Sequence, residues 1–469
     1  MAKRGILSVL FAVFMMILMA GNVYAGNCGS GCGGCNTTCE TKLGNCGSGC
    51  GNNTCETRLG NCGSGCGGNT CEIRLGSCSG GTCDPNGGGT CEARTVKDWT
   101  VLVFLNADNN LDQFGVKDVN EMEKIGSNDR LNIVVLLDRE GGTAQKLYIT
   151  KDNDMNKITS QVVEELGVYD MGDYKNLIAF VEWGVKNYPA KNYVVDIWNH
   201  GSGWNKKRSL TFNGRGISYD DQSGNHITTA QLGQAMASIY QTLGKKLDIL
   251  AMDACLMQMA EVCYEIKDYV QFCVASEETE PGDGYTYDTF LGPLAKDPSM
   301  DALAVSRLTA QAYTEHYTQQ NEACTQSSVD LDRMDAFMVK FDLLCAKLAE
   351  LMSDKAVVTA IKKQVRPYTQ AFYYRSNIDL GHFISLIQKN VKNEEIQVLA
   401  AETLALYGAG QNPLIAGNYI NGSSMKNATG LAIYFPSYSL GSDYNKVKFA
   451  KTNWTLFLSK YFAAASSVQ

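Results

Sequence analysis

Short apolar, β-branched runs recur along most of this chain, and between them lie longer stretches whose apolar residues return every three or four positions. The runs are Trp99–Asn106, Leu131–Asp138, Tyr193–Asn199, Leu247–Met252 and Val270–Ala275. The longer stretches are Leu111–Ile125, Tyr174–Tyr188, Thr228–Leu243 and Leu256–Lys267. A run without polar alternation is suited to burial on both faces, which is the situation of a parallel strand. Strands alternating with helices of this length predict a parallel sheet flanked by helices. Leu147–Thr150 reads as a further, outer strand. After Asp301 the pattern is mainly helical, near 301–321, 335–352, 382–392 and 394–408, with one late strand at Leu431–Phe435. The expected fold class is α/β: a mostly parallel sheet core over about 97–290, and a mainly helical C-terminal subdomain over about 300–465, appended to it.

The first 94 residues follow other rules. Lys3 and Arg4 precede an apolar run from Ile6 to Ala20 and then Val23-Tyr24-Ala25. That is the order of a secretory signal, with cleavage expected after Ala25. The run is short for a membrane span, which takes about 20 apolar residues. A secreted or extracytoplasmic protein without a membrane span is expected. Residues 26–94 hold a repeat: Gly44-Asn45-Cys46-Gly47-Ser48-Gly49-Cys50 returns sixteen positions later as Gly60-Asn61-Cys62-Gly63-Ser64-Gly65-Cys66. Thirteen of the 18 cysteines lie here, with few large apolar residues to build a core. A disulfide-stapled extension suits an oxidising compartment. Metal binding and a largely unfolded segment are the alternatives. Lys42, Arg58, Arg74 and Arg94 punctuate the repeat.

Two of the apolar runs end on chemistry. Tyr193–Asn199 delivers His200, and Leu247–Met252 delivers Asp253, Ala254 and Cys255. In an open α/β sheet the reactive edge is the one at the carboxyl ends of the strands. If both strands are parallel there, a thiol and an imidazole emerge together, as a nucleophile and its base require. A helix beginning at about Leu256 would favour the Cys255 thiolate. The backbone N–H groups of Cys255 and Gly201 are candidate oxyanion donors. The bland reading is a buried structural cysteine and a loop histidine. Of the four histidines, His226, His316 and His382 fall in a loop, a polar helix and a helix start.

Asn199-His200-Gly201 at a strand end, with Met252-Asp253-Ala254-Cys255-Leu256-Met257 following, resembles the clostripain-like cysteine peptidases, of the group that includes caspases, legumains, gingipains and separases. The likeness extends through Trp99-Thr100-Val101-Leu102, Ala107-Asp108-Asn109-Asn110-Leu111, Ala275-Ser276-Glu277-Glu278, Pro281-Gly282-Asp283-Gly284-Tyr285 and Gly430-Leu431-Ala432-Ile433-Tyr434-Phe435-Pro436. It covers roughly 97–460 and leaves out the repeat. It implies a caspase-like fold and a His200/Cys255 dyad. It also implies cleavage of proteins or peptides after arginine or lysine, with Asp253 and Asp283 as acidic groups of the P1 pocket. It further implies a precursor cut at a basic residue between histidine and cysteine, for which Lys206, Lys207, Arg208 and Arg215 are available.

No cofactor is expected to be required. Asn106, Asp108, Asn110 and Asp112 alternate oxygen donors, and some relatives depend on calcium, but the glycine and terminal glutamate of an EF-hand are missing. Helix capping is the default reading of that turn. Lys and Arg number 41 against 49 Asp and Glu, a net charge of −8, which argues against a nucleic-acid partner. Two rival functions stand beside the peptidase reading: a catalytically silent surface or adhesive scaffold, and a peptidase of this fold with a non-basic P1 preference.

Overall fold

The computed structural model describes residues 56–58, 72–74, 96–204 and 216–467. The signal segment, the cysteines of the repeat, and Lys206, Lys207, Arg208 and Arg215 lie outside the described residues. The chain divides into two compact units, 1–94 and 95–469. In the first, Glu56–Arg58 pairs in parallel with Glu72–Arg74, Glu56 opposite Glu72, a register equal to the repeat period.

The second unit is built on a nine-stranded sheet. Its parallel centre runs β9 (Val270–Ala275), β8 (Leu247–Ala251), β5 (Ala190–Trp198), β1 (Lys97–Ala107) and β2 (Leu131–Arg139). Antiparallel β3 (Ala144–Tyr148) and β4 (Gln161–Gly167) extend one side. Antiparallel β10 (Cys324–Asp330) and β12 (Ile415–Asn421) extend the other. Side chains of a strand alternate between faces, and the two faces bury separate cores. Leu102, Phe104, Val134, Leu136, Val195 and Leu250 point into one, and Val101, Val103, Leu105, Ile133, Val135 and Ile249 into the other. Helices α2 (Tyr174–Asn187) and α3 (Thr229–Leu243) cover the first face. Helices α1 (Asp112–Ile125), α5 (Tyr287–Lys296) and α6 (Ala302–Gln319) cover the second. Thr228 opens α3 with a reciprocal capping box to Gln231.

Three expectations are corrected. Leu147–Thr150 is not the outer strand: β3 ends at Tyr148, and β4 lies beyond it at the edge. Charged residues such as Glu164 and Glu165 on an exposed edge strand break the apolar signal. The helix expected from Leu256 starts only at Ala260 and ends at Ile266 (α4). The C-terminal part is not an appended helical piece, because it contributes β10 and β12 to the sheet. Strand β10 reads Cys-Thr-Gln-Ser-Ser-Val-Asp and is nevertheless buried. Its polar groups are hydrogen-bonded: Ser327 Oγ donates to the Gly430 carbonyl at 2.6 Å, and Ser328 Oγ to Ser306 Oγ at 2.8 Å. Helices α7 (Met334–Glu350), α9 (Leu380–Asn390) and α11 (Asn453–Ala465) pack Phe337, Phe341, Phe383, Trp454 and Phe457 into the first core. Among the described residues no helix is long and apolar enough to cross a membrane.

Candidate active site

Strands β5 and β8 are parallel neighbours with Asp196 opposite Ala251. The pairing continues past the strands, where the Asn199 N–H donates to the Asp253 carbonyl at 3.2 Å. His200 and Cys255 therefore leave the sheet side by side at its carboxyl edge. Two glycines seat the loops against each other. A Cβ at Gly201 would overlap the Cys255 carbonyl oxygen, and one at Gly203, where φ is +53°, would overlap that of Leu256. Asn199 clamps the histidine loop from below. Its Nδ2 donates to the Asn106 and Tyr219 carbonyls at 2.6 and 3.0 Å, and its Oδ1 accepts the Tyr219 N–H at 2.7 Å.

His200 is half-buried, and its Nε2 stands 2.7 Å from Asn110 Oδ1. Donation from Nε2 to that amide oxygen leaves Nδ1 as the basic nitrogen of the neutral ring. Cys255 is also half-buried, and its Sγ accepts the Glu280 N–H at 3.3 Å. The expected helix dipole is absent here. Residues 252–259 form an irregular loop with Leu256 at φ +64°, and the thiol meets a backbone donor of the 276–286 loop instead of a helix end. The bridge between Gly201 and Ile217 uses the Ser202 N–H and the Gly216 carbonyl, so it does not consume the Gly201 N–H.

Near Cys255 lies a group of carboxyls, with Asp196 and Asp253 buried and Glu280 half-buried. Asp253 accepts the Tyr285 N–H at 3.1 and 3.0 Å and the Tyr287 hydroxyl at 3.2 Å. The same hydroxyl stands 2.6 Å from Asp196 Oδ2. The Glu280 carboxyl is within hydrogen-bonding reach of Asp253. The one phenol hydroxyl thus lies between two carboxyls. Burial most of all, then the charge of Asp196, pushes Asp253 up to about 8. Burial raises Asp196 and Glu280 as well. Gly284, at φ +57°, lies so close to the Asp253 carboxylate that a Cβ would fall 2.8 Å from Oδ1. Asp283, on the same loop, is ion-paired with Lys117 of α1 at 3.0 Å, and its side chain is 38% exposed.

The alternating oxygen residues before α1 do not converge. Asn106 Nδ2 donates to Ser218 Oγ, Asn110 meets His200, and Asp112 takes a two-pronged bond from Arg139 at 2.8 and 2.7 Å. Asp108 joins Asp138 and Asp220 instead, with carboxylate oxygens within 4.8 Å of one another, all three residues buried. Three hard oxygen donors from separate strands suit a divalent cation such as calcium. The remaining histidines are held elsewhere: His226 stacks on Tyr219, His316 contacts Gln320, and His382 Nδ1 accepts the Gln370 N–H. Cys263, Cys273, Cys324 and Cys345 are buried free thiols.

The model of the clostripain family matches residues 103–464. The chain belongs to the clostripain family. It is 31% identical over 215 residues to clostripain of Hathewaya histolytica, an alignment covering 40% of each chain, so it spans well under half of that relative's length. Among solved structures it is similar to a secreted C11 cysteine protease from Bacteroides thetaiotaomicron in complex with an irreversible peptide inhibitor. That match has a TM-score of 0.55 at 19% identity, covering 79% of this chain and 100% of the other. An inactive zymogen C11 protease from Parabacteroides distasonis matches with a TM-score of 0.55 at 19% identity, over 78% and 99%. The shared fold is the caspase-like α/β sheet expected from the sequence. Sequence reasoning did not find Asp196, Glu280 or the pairing of Asn110 with His200. Asp196 had left a signal, an acid inside the apolar run Val194-Val195-Asp196-Ile197-Trp198.

Proposed function

We propose that this clostripain-family chain is a secreted cysteine endopeptidase that cleaves polypeptides after arginine or lysine. The observation that carries the reading is the seating of the histidine loop on the cysteine loop, near buried carboxyls. His200 Nδ1 takes the Cys255 thiol proton, and Sγ attacks the carbonyl carbon of the scissile bond. The N–H groups of Gly201 and Cys255 hold the oxyanion. His200 then protonates the leaving amine, and water, deprotonated by the same ring, hydrolyses the thioester. Asp253 and Asp283 are the acidic groups offered to the P1 cation, with Glu280 and Asp196 backing Asp253. A guanidinium or ammonium that displaces the Asp253 proton gains a charge-assisted hydrogen bond. Cleavage of the precursor at Lys206, Lys207, Arg208 or Arg215 belongs to this reading. Calcium has no step in the reaction, and the residues to hold it are Asp108, Asp138 and Asp220.

Hydrolysis of fluorogenic peptides with Arg, Lys, Asp or Asn at P1, with and without a thiol alkylator, tests the proposal. Turnover confined to Arg and Lys and abolished by alkylation is expected. Turnover that survives alkylation removes the thiol mechanism, turnover of Asp or Asn peptides removes the P1 assignment, and none at all favours a silent scaffold.

A further inference from the structure

A hollow of about 750 Å³ opens between the segment Thr369–Arg375, the stretch Phe435–Tyr438 and the end of α11. It is lined by Lys362, Arg366 and Arg375, by the rings of Phe435, Tyr438, Tyr461 and Phe462, and by no Asp or Glu. In a chain with eight more acids than bases this is an uncommon allocation. The Arg366 guanidinium is half-buried. Nη2 donates to the carbonyls of Arg375 and Phe435 at 2.6 and 3.0 Å, and the group lies 5.2 Å from the Phe435 ring centre. Backbone carbonyls fix its direction without neutralising it, and Arg375 adds a second positive charge. Among the described residues neither arginine has a carboxylate partner. With Nη2 spent on the two carbonyls, Arg366 keeps its charge and its Nη1 and Nε N–H groups, so a held guanidinium beside aromatic walls matches a carboxylate on an apolar body through a single charge-assisted contact. The exposed Tyr438 ring, 88% accessible, extends the wall outward.

The same segment reaches the nucleophile. The Tyr373 N–H donates to Glu278 Oε1 at 3.0 Å, two residues from the Glu280 N–H that meets Cys255 Sγ. One wall of the hollow is thus tied to the loop that carries the donor to Cys255. We propose that this hollow binds a carboxylate of a peptide chain, either an acidic side chain or a terminal carboxyl, through Arg366 and Arg375.

Calorimetric titration of the full chain carrying Cys255→Ala decides it, with acetyl-Phe-Glu-Phe-amide, acetyl-Phe-Gln-Phe-amide, acetyl-Phe-Gln-Phe acid and sodium sulfate as probes. None contains arginine or lysine, so the outcome does not depend on the P1 reading. At least one carboxylate peptide should bind about tenfold tighter than the uncharged one, the scale of a charge-assisted bond. The Glu peptide binding tighter assigns the site to side chains, and the free acid binding tighter assigns it to chain ends. Arg366→Gln and Arg375→Gln should each erase the difference, and Arg130→Gln should not. Arg375 is exposed, so loss of binding in that variant is not a failure to fold. Equal affinity for charged and uncharged peptides, a difference that survives both substitutions, or sulfate binding as tightly as the peptides would overturn the proposal.

Discussion

At the scale of residues, the proposed specificity makes the carboxyls near Cys255 the groups that would meet a P1 cation. Burial, then the charge of Asp196, pushes Asp253 up to about 8, which favours its protonated form at neutral pH. A cationic P1 side chain requires the ionised form, so kcat/KM on Arg peptides should rise with pH up to about 8. A pH profile of Asp253→Asn should lose that limb and fall about ten- to a hundredfold on Arg substrates, the cost of about 1.5–3 kcal/mol for a charge-assisted contact. A pH-independent wild-type rate between 6 and 9 would remove the Asp253 proton from the account. For the nucleophile, Cys255→Ala should abolish turnover and Cys263→Ala should spare it. Asn110→Ala frees the His200 ring and should lower kcat about tenfold or more, with KM little changed. A change in KM alone would make Asn110 a substrate contact.

Between elements, the decisive contact is glycine against carbonyl. Gly201→Ala forces a methyl into the Cys255 carbonyl and should cost about 1–3 kcal/mol, the usual range for overpacking. A lower melting temperature together with lost activity is expected, and an unchanged pair of values would separate the two loops. The Asp108–Asp138–Asp220 group, where β1, β2 and the strand Gly216–Asp220 meet, carries a pH prediction. Burial, then Asp108 and Asp220, raises Asp138 to about 7 in the folded chain, against an ordinary value of 3.8. The native state therefore binds more protons than the unfolded one between those values. Stability from this group is full below the lower value and lost as pH rises through the upper one. Asp138→Asn should melt higher than wild type at pH 8 and match it at pH 4. Calcium should raise the wild-type melting temperature at pH 8 more than that of Asp138→Asn. Equal calcium responses in the two proteins would sever the cation from this cluster.

For the whole molecule, Arg94 stands at the division between the two units, and Lys42, Arg58 and Arg74 recur in the repeat. An enzyme with the proposed specificity should trim its own extension, first at Arg94. N-terminal sequencing of active protein beside Cys255→Ala checks this, and an identical intact N-terminus in both would exclude self-trimming. The parallel centre was legible in the amino acids because buried strands such as Val101–Leu105 must be apolar on both faces. The emergence of His200 and Cys255 on one edge was legible for the same reason, since strand direction follows from strand–helix alternation. Strands β10 and β12 were not, because their serine, threonine and asparagine groups are satisfied by partners far along the chain. Local sequence likewise pointed to a helix at Leu256, but packing of the 252–259 loop under Gly201 and Gly203 delays it to Ala260. The amino acids by themselves determined the parallel centre of the sheet and the edge at which His200 and Cys255 leave it. Only the tertiary structure decided that Asp196 and Glu280 join Asp253, that Asn110 orients His200, and that Asp108 leaves its neighbours for Asp138 and Asp220. Those groupings depend on close approach between residues 27 to 112 positions apart, and no local pattern of charge or hydropathy encodes which buried polar groups will meet.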